Sequence, residues 1–593
     1  MIRKTSPYRR SRILCRPRLR LSRATLPVDF KPQTKFMKKL SSVSAALALC
    51  GLVTHGADWP RWGGNDPGRN MYSPETGLPD HFAGTNNARV QFKPGTEEIE
   101  ASNLPNARWI AKVGSQSYGN VVVSGGKVFI GTNNENPRDP QHQGDRSILM
   151  CFDEKTGAFL WQLVVPKLAS GKVNDWENLG LLSSPCVEGN RVYLVTSRCE
   201  VVCLSTEGMA SGKNEGPFLD EAQYVAGPGN PPAKIGPRDA DIIWRYDMMD
   251  ELGVFPHNAS NCSLLIVGDN IYACTSNGQD WTHVNIPSPF APSYIVLNKK
   301  TGKLVAEDNA GIGPRIFHGQ WSSPSTGVVN GNQLIFFGGG DGICYAFNAT
   351  PERGTGAPIV PVVAGPAVNR FEDKDTDYLK KVWWFDCNPP ERRASNPAHK
   401  YPAPDGPSEI NATPVFWHNR IYVSVGQDPE HGEGIGNLSC IDATQTGDVT
   451  KTGKIWNYDK MHRSLSTVAI TPDGLLFVGD FSGFVHCFDA ETGKLYWEHD
   501  MASHIWGSTL VADGKVYCGD EDGDFVVFAA SKEKKILSKV NLGAPVYSTP
   551  IVANGVLYVH SNTHLFAFYN HDQRPFVGDQ KPVMNLDLNT SAK

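Results

Sequence analysis

One pattern recurs eight times in order along the chain. Each copy runs from a hydroxyl or small residue into an apolar strand, a turn, a second apolar strand, a Gly-containing turn and a small-apolar-Asp segment. The copies begin at Ser117, Leu182, Asn261, Trp321, Asn411, Leu465, Gly507 and Tyr547. Their apolar runs are of strand length, rich in β-branched and aromatic residues, and none carries a 3.6-residue helical stripe. Four short antiparallel strands repeated radially make a β-propeller. The expected fold is therefore all-β: an eight-bladed propeller of four-stranded antiparallel blades. Most copies end in a strand bearing tryptophan: Trp161, Trp244, Trp384, Trp456 and Trp497. The eighth ends at Tyr569 without one. The segment Ala107–Gly114, with Trp109, can supply the missing outer strand, which would close the ring and remove an exposed edge.

The recurring Asp-x-x-Thr-Gly invites a catalytic reading, as in "CFDEKTGAFLW" at 151–161 and "CFDAETGKLYW" at 487–497. The same Asp stands on blades that must point in different directions, which argues for scaffold instead. Asp153 and Asp489 are expected to accept turn amides, Gly157 and Gly493 to take positive φ, and Trp161 and Trp497 to dock one blade on the next. Two residues before that Asp, successive copies carry Cys151, Cys203, Val296, Ala346, Cys440, Cys487, Val527 and Ala567. That is a column for a small apolar side chain, which Cys satisfies. No Cys-x-x-Cys occurs, so the cysteines are not expected to bind metal.

Residues 1–36 hold eleven Lys/Arg and one acid with no apolar period, and are read as an upstream extension. Residues 37–57 have the basic, apolar and small-residue layout of a signal peptide, too short to span a bilayer. Without residues 1–57 the chain has 44 basic and 60 acidic residues. So acidic a chain argues against nucleic acid or anionic membrane as partner. Residues 58–106 are expected to pack on the propeller as an N-terminal extension. The propeller itself is placed at 107–575 and a tail at 576–593. The expectation is an exported monomer without a transmembrane segment, periplasmic or extracellular, with envelope association open.

The docking-type repeats, the "SSP/STP" approaches to inner strands and the opening "DWPRWGGNDPGRNMYSPETGLP" (58–79) resemble the PQQ-like repeat β-propellers. These are related in fold to quinoprotein alcohol dehydrogenases and similar to the propeller lipoprotein of the outer-membrane barrel assembly machinery. The resemblance spans about 58–575 and implies two functions. One is a non-enzymatic module that binds protein, peptide or glycan. The alternative is a dehydrogenase for alcohols or sugars using PQQ and calcium. The quinoproteins commonly carry a vicinal disulfide and an acidic calcium set. No Cys-Cys dipeptide stands here, and no catalytic residue is transferred.

Function on a repeat scaffold sits where the repeat is broken. Insertions at 133–146, 276–293 and 427–437, with long blade-to-blade loops at 166–181 and 387–409, are expected to cap one channel mouth. Insertions at 205–240 and 350–380 belong to the opposite face. His257, His318, His462 and His504 each stand four residues before the Ser or Asn that opens an inner strand. With Asn258, Gln320, Trp321, Glu409, Asn411, Arg463 and Trp506 they form the candidate ligand site. Several imidazoles at one mouth could take a metal, an anion or a polar ligand. Without His-x-His or His-Glu-x-x-His spacing, they are expected as solvated loop histidines on separate blades, with no metal.

Overall fold

The apolar runs form eight antiparallel sheets arranged in chain order. The computed structural model describes residues 57–82, 89–353, 377–395, 401, 404–429 and 434–570. The upstream extension, the tail and most of the signal segment lie outside them, as do parts of the 350–380, 387–409 and 427–437 insertions. Blade one is typical: Val122–Ser124, Lys127–Asn133, Arg146–Asp153 and Phe159–Pro166 pair in sequence. Blade eight is completed from the other end of the chain. Ala107–Lys112 pairs antiparallel with His564–Phe568, Trp109 opposite Ala567. Three blades exceed four strands. Asp377–Leu379 and Glu352–Arg353 extend blade three, Gly447–Asp448 extends blade four and Tyr72–Ser73 extends blade seven. Short strands thus pair edges that a four-stranded blade leaves open.

The register explains the small-residue column. Cys151, Cys203, Ala346, Cys440, Cys487 and Ala567 lie directly opposite Trp161, Trp244, Trp383, Trp456, Trp497 and Trp109. Where the column holds Val296 or Val527, the partner is Ala306 or Ser538. A small side chain on strand three makes room for an indole on strand four, and valine takes a small partner. Volume is conserved across the pair, as close packing requires. Each indole N–H then crosses to the next blade: Trp109 donates to the Glu154 carbonyl at 2.9 Å, Trp161 to Thr206 at 3.0 Å and Trp497 to Ser531 at 2.9 Å.

Blade four corrects one expectation. Trp383, not Trp384, docks, donating to the Ala443 carbonyl at 3.1 Å with no exposure. A bulge between Ala346 and Phe347 sets this register, and Trp384 instead lies under the Lys381 ammonium. The Asp turns are local scaffold. Asp489 Oδ1 accepts the Thr492 N–H at 3.0 Å and its hydroxyl at 2.9 Å. Gly493 has φ +72, and a Cβ there would stand 2.6 Å from the Trp456 ring of the blade before.

Two systems of hydrogen bonds hold the channel. At the start of the inner strands, seven of the eight blades donate a backbone N–H to the side chain at the same position of the next blade. The chain of bonds runs Asn120 to Ser184, Ser263 and Ser323, then Thr413 to Thr467, Ser508, Thr549 and back to Asn120. At the one break, Thr413 Oγ1 accepts the Trp62 indole at 3.0 Å. Near the other end of the same strands, the segment 58–75 bonds to every blade. Trp59, Pro60, Pro67, Gly68 and Met71 carbonyls accept from Val123, Val187, Thr326, Phe416 and Val511. Asn70 accepts from Ile470 and Glu75 from Gly555, and Arg69 donates to Leu264. The segment forms a plug that closes the channel opposite the mouth. Arg69 is fully buried, its charge spread over the carbonyls of Trp62, Leu264 and Pro324. Each of the three guanidinium nitrogens thus donates to a carbonyl.

Candidate functional site

Between plug and mouth lies a cavity of about 360 Å³. The plug supplies Trp62, and the eight-residue ring from Asn120 to Thr549 contributes a belt of side-chain oxygens. A hydroxyl that accepts one backbone N–H keeps its proton to donate. Tyr118, Trp176, Trp321, Trp506 and Tyr547 supply aromatic wall, with Tyr118 and Tyr547 stacked at 4.9 Å. Asn258, Asn261 and Asn411 also line it, and their buried side-chain oxygens have no hydrogen-bond partner among the described residues. Asp428 is the one charged side chain among the described lining residues.

Behind Trp321 stands a second feature. His257 precedes blade three, His318 precedes blade four, and His283 comes from the 276–293 insertion. Their ligating nitrogens all lie within 4.8 Å of one another. The rings of His257 and His318 are 4.1 Å apart, and His283 stands 5.1 and 5.0 Å from them. His257 and His318 are fully buried and His283 half-buried. The insertion folds back because Gly278 permits it. A Cβ there would sit 2.6 Å from both His257 Cβ and the His318 carbonyl. Backbone bonds then tie the three loops: the Gln279 N–H to the His318 carbonyl at 2.9 Å, and His257 N–H to Ser276 at 3.2 Å. His257 Nδ1 lies 2.6 Å from the Gln279 carbonyl, so Nδ1 carries the proton and Nε2 keeps its lone pair.

Tyr401 stacks on His318 at 4.2 Å and 8°. Its hydroxyl donates to Glu409 Oε1 at 3.2 Å and accepts the Asp428 N–H at 2.8 Å. Glu409 is without exposure, and burial pushes its carboxyl up to about 8. Trp321 packs on both buried imidazoles, 6.3 and 5.3 Å between centroids, and forms the wall between cluster and cavity.

The eleven candidate residues divide. Asn258, Trp321, Asn411 and Trp506 line the cavity. Gln320 is buried beside the cluster, donating to the Asn277 carbonyl at 3.3 Å. The expectation of dispersed, solvated histidines fails for His257 and His318, because the insertion brings a third ring between their loops. His462 and His504 stay apart from the cluster: His462 stacks on Phe484 at 5.8 Å and His504 on Phe481 at 4.3 Å. Arg463 donates to the Asp428 and Pro429 carbonyls. Motif spacing does not point to His283, Tyr401 or the plug residue Trp62. The one sequence signal for His283 is its place near Trp281 inside the 276–293 insertion.

The family model for outer membrane protein assembly factor BamB matches residues 95–354 and 436–535. No curated protein matches the chain. Among solved structures, a europium-containing methanol dehydrogenase is 13% identical, with 85% of this chain and 90% of that one covered and a TM-score of 0.50. BamB from Moraxella catarrhalis is 14% identical over 77% and 98%, with a TM-score of 0.45. The quinohemoprotein alcohol dehydrogenase from Comamonas testosteroni is 11% identical over 86% and 80%, with a TM-score of 0.49. At these identities the likeness is one of fold.

Proposed function

The chain belongs to the family of outer membrane protein assembly factor BamB, and from that premise we propose an exported binding module whose ligand enters the propeller mouth. The cavity carries this reading. It joins aromatic walls to hydroxyl groups and amide oxygens, with Asp428 the one charge among its described lining residues. A ligand with an apolar face and a rim of hydroxyl groups complements it: a saccharide unit of an envelope glycan. Aromatic faces take the C–H surface, and the amide oxygens accept from its hydroxyls.

The quinoprotein alternative fits less well. PQQ is a tricarboxylate, and among the described lining residues there is no Lys or Arg to meet it. A calcium site needs six to eight oxygens with several carboxylates, and Asp428 is the lining carboxylate. No redox step is assigned.

The test is calorimetric titration of untagged protein with a panel of mono- and disaccharides, repeated with Trp321→Ala and Trp506→Ala. Saccharide binding that either substitution weakens at least tenfold supports the reading. Stoichiometric PQQ binding with calcium-dependent dye reduction, and no saccharide binding, overturns it.

A further inference from the structure

We propose that His257, His283 and His318 form a metal site that holds one divalent transition ion of the zinc class. The geometry is close to what such an ion needs. An equilateral triangle with 4.8 Å sides has corners about 2.8 Å from its centre, and zinc–imidazole bonds are about 2.0–2.1 Å. Closing the triangle onto an ion takes about 0.7 Å of movement per ring at most, within the reach of small loop shifts. The histidines come from three separate loops, so the ion would staple the blade-three insertion to the approaches of blades three and four.

The chemistry of the donors selects the ion. All three are imidazoles, which suit zinc, copper, nickel or iron and not the oxygen-seeking calcium or magnesium. The Gln279 carbonyl orients His257 in the way that carbonyls orient histidine ligands in metal proteins. Tyr401 fixes the His318 ring from the other face and is itself held by a hydrogen bond to the buried Glu409 carboxyl. Without an ion, three rings crowd together with two of them cut off from solvent. Three histidines leave a coordination position for water or an incoming group. The cluster lies against Trp321, so a bound ion would also set the position of one cavity wall.

This inference stands independently of the cavity ligand, because its readout is the metal. Untagged protein is stripped with chelator, dialysed against micromolar zinc chloride and analysed by elemental mass spectrometry. A parallel sample takes cobalt(II) and is read by its visible absorption. The expected result is one zinc per chain and cobalt bands of imidazole-ligated, low-coordinate character. His283→Ala, at a half-buried position that tolerates truncation, should retain less than a tenth of that zinc, with an unchanged circular-dichroism spectrum. His318→Gln should do the same, and His504→Ala, outside the cluster, should keep the full equivalent. Wild-type protein that retains no zinc overturns the site. So does full retention by His283→Ala, which would place the metal elsewhere.

Discussion

The rim and the mouth of this propeller start from the same repeat and end differently. At the rim, six indoles at equivalent positions make equivalent bonds, each across to the next blade. At the mouth, four histidines at equivalent positions split into two pairs. His257 and His318 meet over His283, whereas His462 and His504 lie apart against phenylalanines. The loop between strands two and three makes the difference. In blade three it is the 276–293 insertion. In blade six it is a tight turn closed by the Gly483 N–H on the Asp480 carbonyl, and Phe481 fills the space beside His504. Equivalence survives where ladder register fixes a side chain, and fails where loop length does.

The largest expected effect tests the rim. Trp383→Ala should cost about 3–5 kcal/mol by urea denaturation, the range for removing a buried indole. Trp384→Ala, at a half-buried position on the edge of the core, should cost less, about 1–2 kcal/mol. Equal costs would show that the bulge does not set the docking residue.

Next comes the mouth. Replacing residues 276–293 by the blade-six turn Asp480–Gly483 removes His283 and should weaken zinc binding by roughly a hundredfold or more, from loss of one of three ligands. The propeller should stay folded, because the loop lies outside the ladder. Unfolding of that variant would make the insertion part of the scaffold and erase the contrast between the two regions.

The third prediction concerns the ring's seam, where rim and mouth both depend on the chain ends. Burial lowers His560 and His564 to about 4 from 6.5. His560 Nε2 donates to the Gly119 carbonyl of blade one at 2.9 Å, and His564 stands opposite Lys112 of the closing strand. Between about pH 4 and 6.5 the folded seam binds fewer protons than the unfolded chain. Its stability is therefore full above about pH 6.5 and falls as the pH drops towards 4. Hydrogen exchange should show amides of Ala107–Lys112 opening faster at about pH 5 than at pH 7, ahead of the other outer strands. Uniform loosening of all outer strands would remove the seam's special status.

The smallest effect belongs to the turn. Gly493→Ala forces a side chain into positive φ and against Trp456, and should lower stability by about 1–2 kcal/mol. An unchanged melting temperature would mean that the indole can shift away.

Much of this was legible beforehand because it is local or repeated. The closing strand around Trp109 followed from a missing eighth outer strand, and the Asp489–Gly493 turn from its own residues. The Cys487 column was visible as small, but its reason, an indole directly across the ladder, needed the register. Trp383 and Trp384 are neighbours in sequence, and only a bulge one strand away decides between them. The plug is recognisable as an opening motif, yet nothing in "DWPRWGGND" states that the segment reaches every blade.

The sequence by itself determined the number of blades and the closure, because strand period and turn chemistry act over a few residues. Only the tertiary structure decided that the plug floors a cavity and that His257, His283 and His318 meet. Those contacts join loops far apart along the chain, and their geometry depends on where Gly278 lets one backbone approach two others. No spacing rule encodes such an approach, since it is set by packing in three dimensions.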